Sequence, residues 1–296
     1  MSDAAPLVAG VELGGTKGLC TLASDTGRIV DQHRVNTRDP TATLADVRDV
    51  LAGWRGRFNA LGIASFGPLD LDPASPTYGQ IVSTPKPGWS GTDLPGAFRD
   101  LHVPFALETD VNAAALAEGR WGAARELSSF AYITVGTGIG VGIINRGQTV
   151  GGYGHAEAGH LRGPRISGDD WPGACPFHGD CAEGLAAGPS IRAAHGPGDV
   201  ADDWPGWTRV EQALAMLLHN LFLTTQPQRV LMGGGVSEGR PWLLPAVRDR
   251  LLASLGGYHT AAALAADPGF LRPPGLGDQA GPLGSIALAL VARSAQ

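Results

Sequence analysis

The sequence predicts an α/β protein built from two related halves. Short apolar segments with strand character alternate with segments in which apolar residues recur at helical spacing. A strand, a glycine-rich turn and a returning strand occur around Gly14-Gly15-Thr16-Lys17 and again, about 120 residues later, around Gly136-Thr137-Gly138-Ile139-Gly140. A repeated unit of this kind indicates internal duplication, and 296 residues suffice for two domains.

The first half is expected to open with a three-stranded meander. A helix is predicted over residues 41–57, where Leu44, Val47 and Leu51 fall on one face. Residues 70–89 are rich in Pro, Ser and Gly, which predicts a long loop. The other expected elements are strands at 7–13, 18–23, 28–34, 59–64 and 103–108, a short helix at 91–98 and an Ala-rich helix at 112–119.

The second half is expected to open with the second hairpin and to pass through a loop-rich region, residues 151–188. Its other elements are predicted as strands at 132–135, 141–145 and 229–232 and helices at 210–224, 245–255 and 284–292. We therefore expect a small α/β domain over residues 1–111, completed by a C-terminal helix at 283–296. A larger domain is expected over residues 112–282.

Composition narrows the classes of function. A net charge of -6 without basic runs is a poor match to nucleic-acid binding, which needs a positive surface. No apolar run approaches the ~20 residues of a membrane span, and the first residues lack a secretory signal, so a cytoplasmic location is expected. Three cysteines, an odd number, argue against a disulfide framework. Of the 22 basic residues only Lys17 and Lys86 are lysines.

Both glycine-rich turns are candidate phosphate loops. Backbone N–H groups in such a turn can converge on an anion because no side chain blocks the approach. A strand follows each turn, so neither matches the Walker pattern, which requires a helix. The alternative is a pair of tight hairpins without a ligand. The predicted phosphate-binding residues are Gly14, Gly15, Thr16, Lys17, Thr137 and Gly138.

A third glycine cluster follows the strand predicted at 229–232. It contains Gly234 and Gly235, and it admits two interpretations. Either the backbone packs closely in a turn, or the glycines leave room for the adenosine of a nucleotide.

The segment Cys175-Pro176-Phe177-His178-Gly179-Asp180-Cys181 predicts a metal site. Tetrahedral zinc takes four Cys or His ligands at such short spacings. His160 is the candidate for the fourth ligand, with His155 as competitor. Four protein ligands leave no open position, so the metal is expected to be structural. The alternative is a pair of buried, unliganded cysteines with an exposed histidine.

Asp110 lies where a predicted strand gives way to a helix. One interpretation is helix N-capping, which Asp and Asn favour. The other is a general base, because phosphoryl transfer needs a group that accepts the proton of the attacking hydroxyl.

Taken in order, GVELGGTK, GTGIG and PQRVLMGGG resemble the nucleotide-binding elements of the ROK family of sugar kinases and regulators over essentially the whole chain. The resemblance implies an actin-like, hexokinase-like (ribonuclease H-like) two-domain fold with an interdomain cleft. It also implies a phosphotransferase that uses ATP and Mg²⁺, with Asp110 as base and Glu12 holding magnesium through water. Glu12 departs from the family's usual Asp, and Thr109 stands where an Asn usually touches the sugar.

The same resemblance assigns the sugar and metal residues. It implies that Asn112, Glu157, His160 and Glu183 bind the sugar, although Glu183 also fits a charge at a helix entry. The family motif E-x-G-H favours His160 over His155 as the zinc ligand, in a site completed by Cys175, His178 and Cys181.

Three features resemble the zinc-containing bacterial fructokinase branch: Glu12, the loop TPKPGW at residues 84–89, and His178 where many relatives have Cys. The implied reaction is ATP + D-fructose to ADP + D-fructose 6-phosphate. Kinases of glucose, mannose or an N-acetylhexosamine are the alternatives. A sugar-responsive regulator would carry a DNA-binding domain ahead of the first loop, and a zinc-ribbon interaction module would leave both loops unexplained. The family is often dimeric, so a homodimer is an expectation, although no residue indicates its interface.

Overall fold

The computed structural model describes residues 7–152, 154–258 and 262–295, and contacts within the chain divide them into two units. Unit 1 contains the described residues within Met1–Arg125, Val150–His155 and Leu276–Gln296, and unit 2 contains those within Glu126–Thr149 and Ala156–Gly275. The predicted domain boundary at residues 111 and 112 falls inside the helix Asp110–Trp121, which belongs wholly to unit 1. The contacts instead divide the two units between Arg125 and Glu126.

The strands are β1 (Leu7–Leu13), β2 (Lys17–Ala23), β3 (Ile29–Asn36), β4 (Phe58–Ser65), β5 (Phe105–Thr109), β6 (Phe130–Val135), β7 (Ile139–Asn145), β8 (Gln148–Thr149), β9 (Val230–Gly233) and β10 (Leu271–Arg272). The helices are α1 (Pro40–Gly53), α2 (Leu94–Phe98), α3 (Asp110–Trp121), α4 (Ala182–Ala186), α5 (Gly188–His195), α6 (Trp207–Thr225), α7 (Leu243–Leu255), α8 (Ala262–Ala266) and α9 (Ala280–Ser294).

Unit 1 is built on a five-stranded sheet with the order β3-β2-β1-β4-β5. β1, β2 and β3 form the predicted antiparallel meander, whereas β4 and β5 run parallel to β1. Side chains of β1 alternate between two cores: Val8 packs with α9, while Val11 packs with α1 on the other face. A Cβ at Gly10 or Gly62 would overlap Ser285 of α9, so these glycines let the helix lie close to the sheet.

Unit 2 repeats this plan. Its sheet has the order β10-β9-β6-β7-β8, in which β6 takes the central place of β1. β7 and β8 continue from β6 as an antiparallel meander, and β9 and β10 are parallel to it. The prediction of two related halves is therefore confirmed at the level of strand order. α6 and α7 pack together, and Phe222 of α6 meets Phe270 edge-on with ring centroids 5.7 Å apart.

The predicted helices and strands are present with shifted ends, and four short elements went unpredicted: β8, α4, α8 and β10. A fifth, α5, begins Gly-Pro-Ser and has only Ser190 and Ile191 buried, so it lacks the apolar repeat that marks a helix. α1 ends at Gly53 rather than at residue 57 because Trp54 turns out of the helix to pack in the core. No helix among residues 7–152, 154–258 and 262–295 has the length and apolar character needed to cross a membrane.

Candidate active site

The first glycine loop, residues 14–16, joins β1 to β2. The backbone N–H of Gly14 donates to the carbonyl of Lys17 at 3.0 Å. Thr37, just beyond β3, holds the loop twice: its N–H donates to Thr16 O at 3.1 Å and its Oγ1 donates to Gly14 O at 2.8 Å. A Cβ built on Gly15 would meet open space, so the outer face of the loop is accessible. A strand follows directly, as the sequence predicts.

Lys86 reaches this loop from the TPKPGW segment. Its Nζ donates to the carbonyl of Gly15 and lies 5.8 Å from the ring centroid of Phe66. Trp89 anchors the segment, because it is fully buried and its Nε1 donates to Arg38 O at 2.8 Å. Both lysines of the chain therefore lie at the first glycine loop, a contact that no local motif predicts.

Glu12 lies at the end of β1 on the face that packs against α9. A Cβ on Gly281 would overlap its carboxylate, and its Oε2 is buried and accepts no hydrogen bond from the described residues. Burial, and then the negative charge of Asp110, raise the pKa of Glu12 to about 7, while Lys17 acts in the opposite direction. Two neighbouring carboxylates with an unpartnered oxygen form an environment that a hard divalent cation would stabilise.

The capping interpretation applies to Thr109 and not to Asp110. Thr109 is the N-cap of α3: its Oγ1 accepts the N–H of Asn112 at 3.2 Å, and its side chain is buried. Asp110 is the first helical residue, and its Oδ1 accepts the N–H of Val111 at 2.9 Å. The helix is therefore capped without the Asp110 carboxylate, which is held beside Glu12 at the end of β5.

Glu108 is a residue of this region that sequence reasoning missed. Its Oε2 accepts the side-chain amide of Asn112 at 2.8 Å and the N–H of Thr109 at 3.0 Å. Its charge, after burial, raises the pKa of Tyr78. The signal available in the sequence was the spacing of four between Glu108 and Asn112 across a strand–helix junction. Asn112, predicted to bind sugar, is thus a buried residue whose Nδ2 contacts Glu108.

The second glycine loop, residues 136–138, joins β6 to β7 as the first joins β1 to β2. The N–H of Gly136 donates to Gly138 O at 2.9 Å, and Gly136 O accepts the N–H of Gly188 at 2.8 Å. The N–H of Ile139, the first residue of β7, donates to Oε2 of Glu183 at 3.0 Å. A Cβ on Gly136 would again meet open space.

A cavity of about 350 Å³ adjoins the second glycine loop. Gly235 lines it, and a Cβ there would project into open space, whereas Gly234 has a φ of +94° and lies against the backbone of Val135. Gly234 thus packs closely in a turn, whereas Gly235 faces open space in the cavity. Trp207 and Arg240, which the sequence did not single out, also line the cavity, and the guanidinium lies 4.4 Å from the indole centroid.

Four residues form a group that can hold a metal ion: His160, Cys175, His178 and Cys181, hereafter the metal cluster. Their ligand atoms all lie within 4.8 Å of one another, with His160 Nδ1 at 3.5 Å from Cys181 Sγ and 3.7 Å from Cys175 Sγ. Bonds of 2.0–2.3 Å to a tetrahedral ion give edges of about 3.3–3.8 Å, which the 3.5 Å and 3.7 Å separations match. Burial is the main cause that raises the pKa of Cys181 to about 11.

His155, the competing ligand, lies elsewhere. Its Nε2 accepts the N–H of Leu69 at 3.0 Å within unit 1, whereas the metal cluster belongs to unit 2. The other predicted sugar residues flank the cluster: Glu157 is exposed just before the turn Ala158–His160, and Glu183 lies in α4.

Comparison with known proteins gives a consistent result. The sequence model of the ROK family matches residues 8–292. A fructokinase of Pediococcus pentosaceus is 36% identical over 289 residues, which cover 97% of this chain and 98% of that protein. A fructokinase of Zymomonas mobilis is 37% identical over 294 residues, 96% of each chain.

Solved structures are similar over nearly the full length. A ROK hexokinase from Thermus thermophilus aligns with a TM-score of 0.77 and 26% identity, covering 98% of this chain and 100% of that one. A ROK family glucokinase from Streptomyces griseus, solved with glucose and AMPPNP, aligns with a TM-score of 0.73 and 25% identity, covering 97% and 99%.

Proposed function

This chain belongs to the ROK family, and on that basis we propose that it is an ATP-dependent hexose kinase acting on D-fructose. Its relatives at 36–37% identity over nearly the whole chain are named fructokinases, which supports this substrate. The proposed reaction transfers the γ-phosphoryl group of ATP to the hydroxyl at position 6, yielding ADP and D-fructose 6-phosphate.

The observation that carries the proposal is the pairing of Asp110 with Glu12. The attacking hydroxyl oxygen forms a bond to the γ-phosphorus, and the bond from that phosphorus to the bridging oxygen of ADP breaks. Asp110 accepts the hydroxyl proton, and its place outside the helix cap supports this role. Mg²⁺, when bound, neutralises charge on the phosphates. The buried, unpartnered Oε2 of Glu12 is suited to orienting that hydrated ion.

Both units carry candidate nucleotide-binding residues. In unit 2, Gly235 would leave room for adenosine in the cavity, with Gly234 shaping the turn, and Thr137 and Gly138 would hold phosphate oxygens. In unit 1, the same role falls to the N–H groups of the first glycine loop, residues 14–16, together with Lys17. The backbone at Gly15 and Gly136 is open to an approaching anion, which supports this assignment.

The ion of the metal cluster is proposed to be a structural Zn²⁺. Two thiolates and two imidazoles are ligands that zinc prefers, and four protein ligands leave no position for a reacting water. Asn112, Glu157, His160 and Glu183 are proposed to bind the hydroxyl groups of the sugar.

The experiment that tests the proposal is a coupled ADP-release assay over fructose, glucose, mannose and N-acetylmannosamine. Fructose should give the highest kcat/KM. Asp110→Asn should lower kcat by ~10²–10⁴-fold while ADP binding, measured by calorimetry, changes little.

Other outcomes would redirect the proposal. A preference for glucose would move the assignment toward the Streptomyces griseus relative, and wild-type turnover in Asp110→Asn would contradict the mechanism. We also propose a cytoplasmic location, which fits an enzyme that depends on ATP. The family suggests a homodimer, and analytical sedimentation would measure the oligomeric state.

A further inference from the structure

Two chain segments that carry metal ligands contact the same residue, Ile139, where the second glycine loop enters β7. From one segment, Oε2 of Glu183 accepts the Ile139 N–H at 3.0 Å. From the other, Gly159 faces the Ile139 carbonyl so closely that a Cβ would overlap its oxygen. At this end of the loop the Ile139 N–H is therefore held by one ligand-carrying segment, and the Ile139 carbonyl is closely approached by the other.

The contacts on Ile139 lie one or two residues from metal ligands. Gly159 immediately precedes His160. Glu183 follows Cys181 by two residues, and Cys181 is the N-cap of α4, with its Sγ accepting the N–H of Gly184 at 3.4 Å. A metal ion bonded to His160 and Cys181 would therefore tie the two segments together directly behind the loop.

The other end of the loop is held by the same stretch of chain. α4 passes through Ala187 directly into α5, and the N–H of Gly188 donates to Gly136 O at 2.8 Å. The position of α4 thus affects both ends of the second glycine loop.

The segment between His160 and Cys175 is also attached to α6, by contacts that do not depend on metal. Asp169 pairs with Arg165 and with Arg209 of α6, and these hydrogen bonds lower its pKa to about 2. Arg209 also lies 5.2 Å from the ring centroid of Trp171. Loss of the metal should therefore relax the contacts next to the ligands while the segment stays on α6.

We propose that the metal cluster positions the second glycine loop for nucleotide binding, with Glu183 as the positioning residue. This inference rests on the proposed function, because it assumes that the loop binds phosphate. It adds to the sugar-binding role proposed for Glu183 a role toward the nucleotide, exerted through Ile139.

The test measures ADP affinity by calorimetry in Mg²⁺ buffer without sugar. Protein is compared as purified, after chelation followed by dialysis, and after re-addition of Zn²⁺, with metal content followed by elemental analysis and folding by circular dichroism. We expect removal of the metal to raise the Kd for ADP by about 5- to 50-fold and re-addition to restore it. A Kd that stays within twofold in folded, metal-free protein would overturn the inference.

Variants separate positioning from overall stability. Glu183→Ala removes the acceptor for the Ile139 N–H and should weaken ADP binding while the metal is retained. Glu183→Gln keeps a carbonyl oxygen there and should bind ADP within about threefold of wild type. Asp249→Asn, which neutralises an exposed carboxylate paired with Arg248 in α7 of the same unit, is the control and should leave the Kd unchanged.

The effects of metal removal and of Glu183→Ala on the Kd should not add, because both act on the hydrogen bond between Glu183 and Ile139. In Glu183→Ala, metal removal should change the Kd for ADP by less than about twofold. If the two effects on the Kd added fully, the inference that the metal acts through Glu183 would be contradicted. Failure of the metal-loaded wild type to bind ADP at all would instead refute the proposed function.

Discussion

The environment of Glu12 opposes the charge of its carboxylate. Its pKa of about 7 lies above the ordinary value of 4.5, so between these values the folded protein holds a proton that the unfolded chain has released. The stabilising contribution is therefore fully present below pH 4.5 and is lost as the pH rises through about 7. A bound cation would reverse this balance because it requires the ionised carboxylate.

Replacing Glu12 by Gln should remove this pH dependence. In buffer without added divalent cations, the free energy of unfolding of Glu12→Gln minus that of wild type should grow by ~1–3 kcal/mol between pH 5 and pH 8. Urea unfolding at several pH values measures it. In the Asp110→Asn background the growth should be smaller, since one cause of the raised pKa is gone, and a difference independent of pH would contradict the assignment.

Lys86 should matter for the nucleotide more than an ordinary surface cation. Its ammonium has three donors, one of which is used by the Gly15 carbonyl, and it stands at the proposed phosphate loop. Lys86→Met should lower kcat/KM for ATP by about 10- to 100-fold. Lys86→Arg should keep only part of the wild-type kcat/KM, because a planar guanidinium differs in shape from a compact ammonium.

Steady-state kinetics with both substrates varied would measure this effect. Arg48→Met removes a cation from an exposed ion pair with Asp100 in the same unit and should leave the kinetics unchanged. Equal losses in Arg48→Met and Lys86→Met would show that net charge, rather than position, matters.

At the scale of elements, the sequence predicted what local patterns encode. The hairpins β1–β2 and β6–β7 were predicted to within a few residues because apolar runs and glycine turns mark them directly. The group of residues that could hold a metal ion was recognised because three of them lie within seven residues. α5 was missed because its sequence has no apolar repeat for a local rule to detect.

Contacts between distant elements could not be predicted in this way. Lys86 and Gly15 are 71 residues apart in the chain, and Glu183 and Ile139 are 44 apart. No sequence pattern relates the two residues of either pair, because each contact depends on where the tertiary structure places a loop. The choice between His160 and His155 was likewise open from spacing. In the structure the His160 imidazole meets the thiols, whereas His155 accepts a backbone N–H.

At the scale of the molecule, unit 1 is discontinuous. Its sheet comes from the first third of the chain, but α9, which covers one face of that sheet, comes from the last residues. The buried residues of α9 include Ile286, Ala289 and Leu290, which pack against Val8 and Ala60. The core of unit 1 is therefore incomplete until the end of the chain is in place.

Removing the residues from Leu276 onward should consequently abolish the fold of unit 1. The truncated chain should lose cooperative unfolding of that unit and expose the α9-facing side of its sheet, because burial of several aliphatic side chains contributes roughly 1.5–3 kcal/mol each. Dye binding and hydrogen exchange of β1 and β4 would detect the loss. A chain that ends at Ser294 keeps all of α9 and serves as control. If the longer truncation still protected the amides of β1 and β4, then α9 would be an accessory to the core rather than part of it.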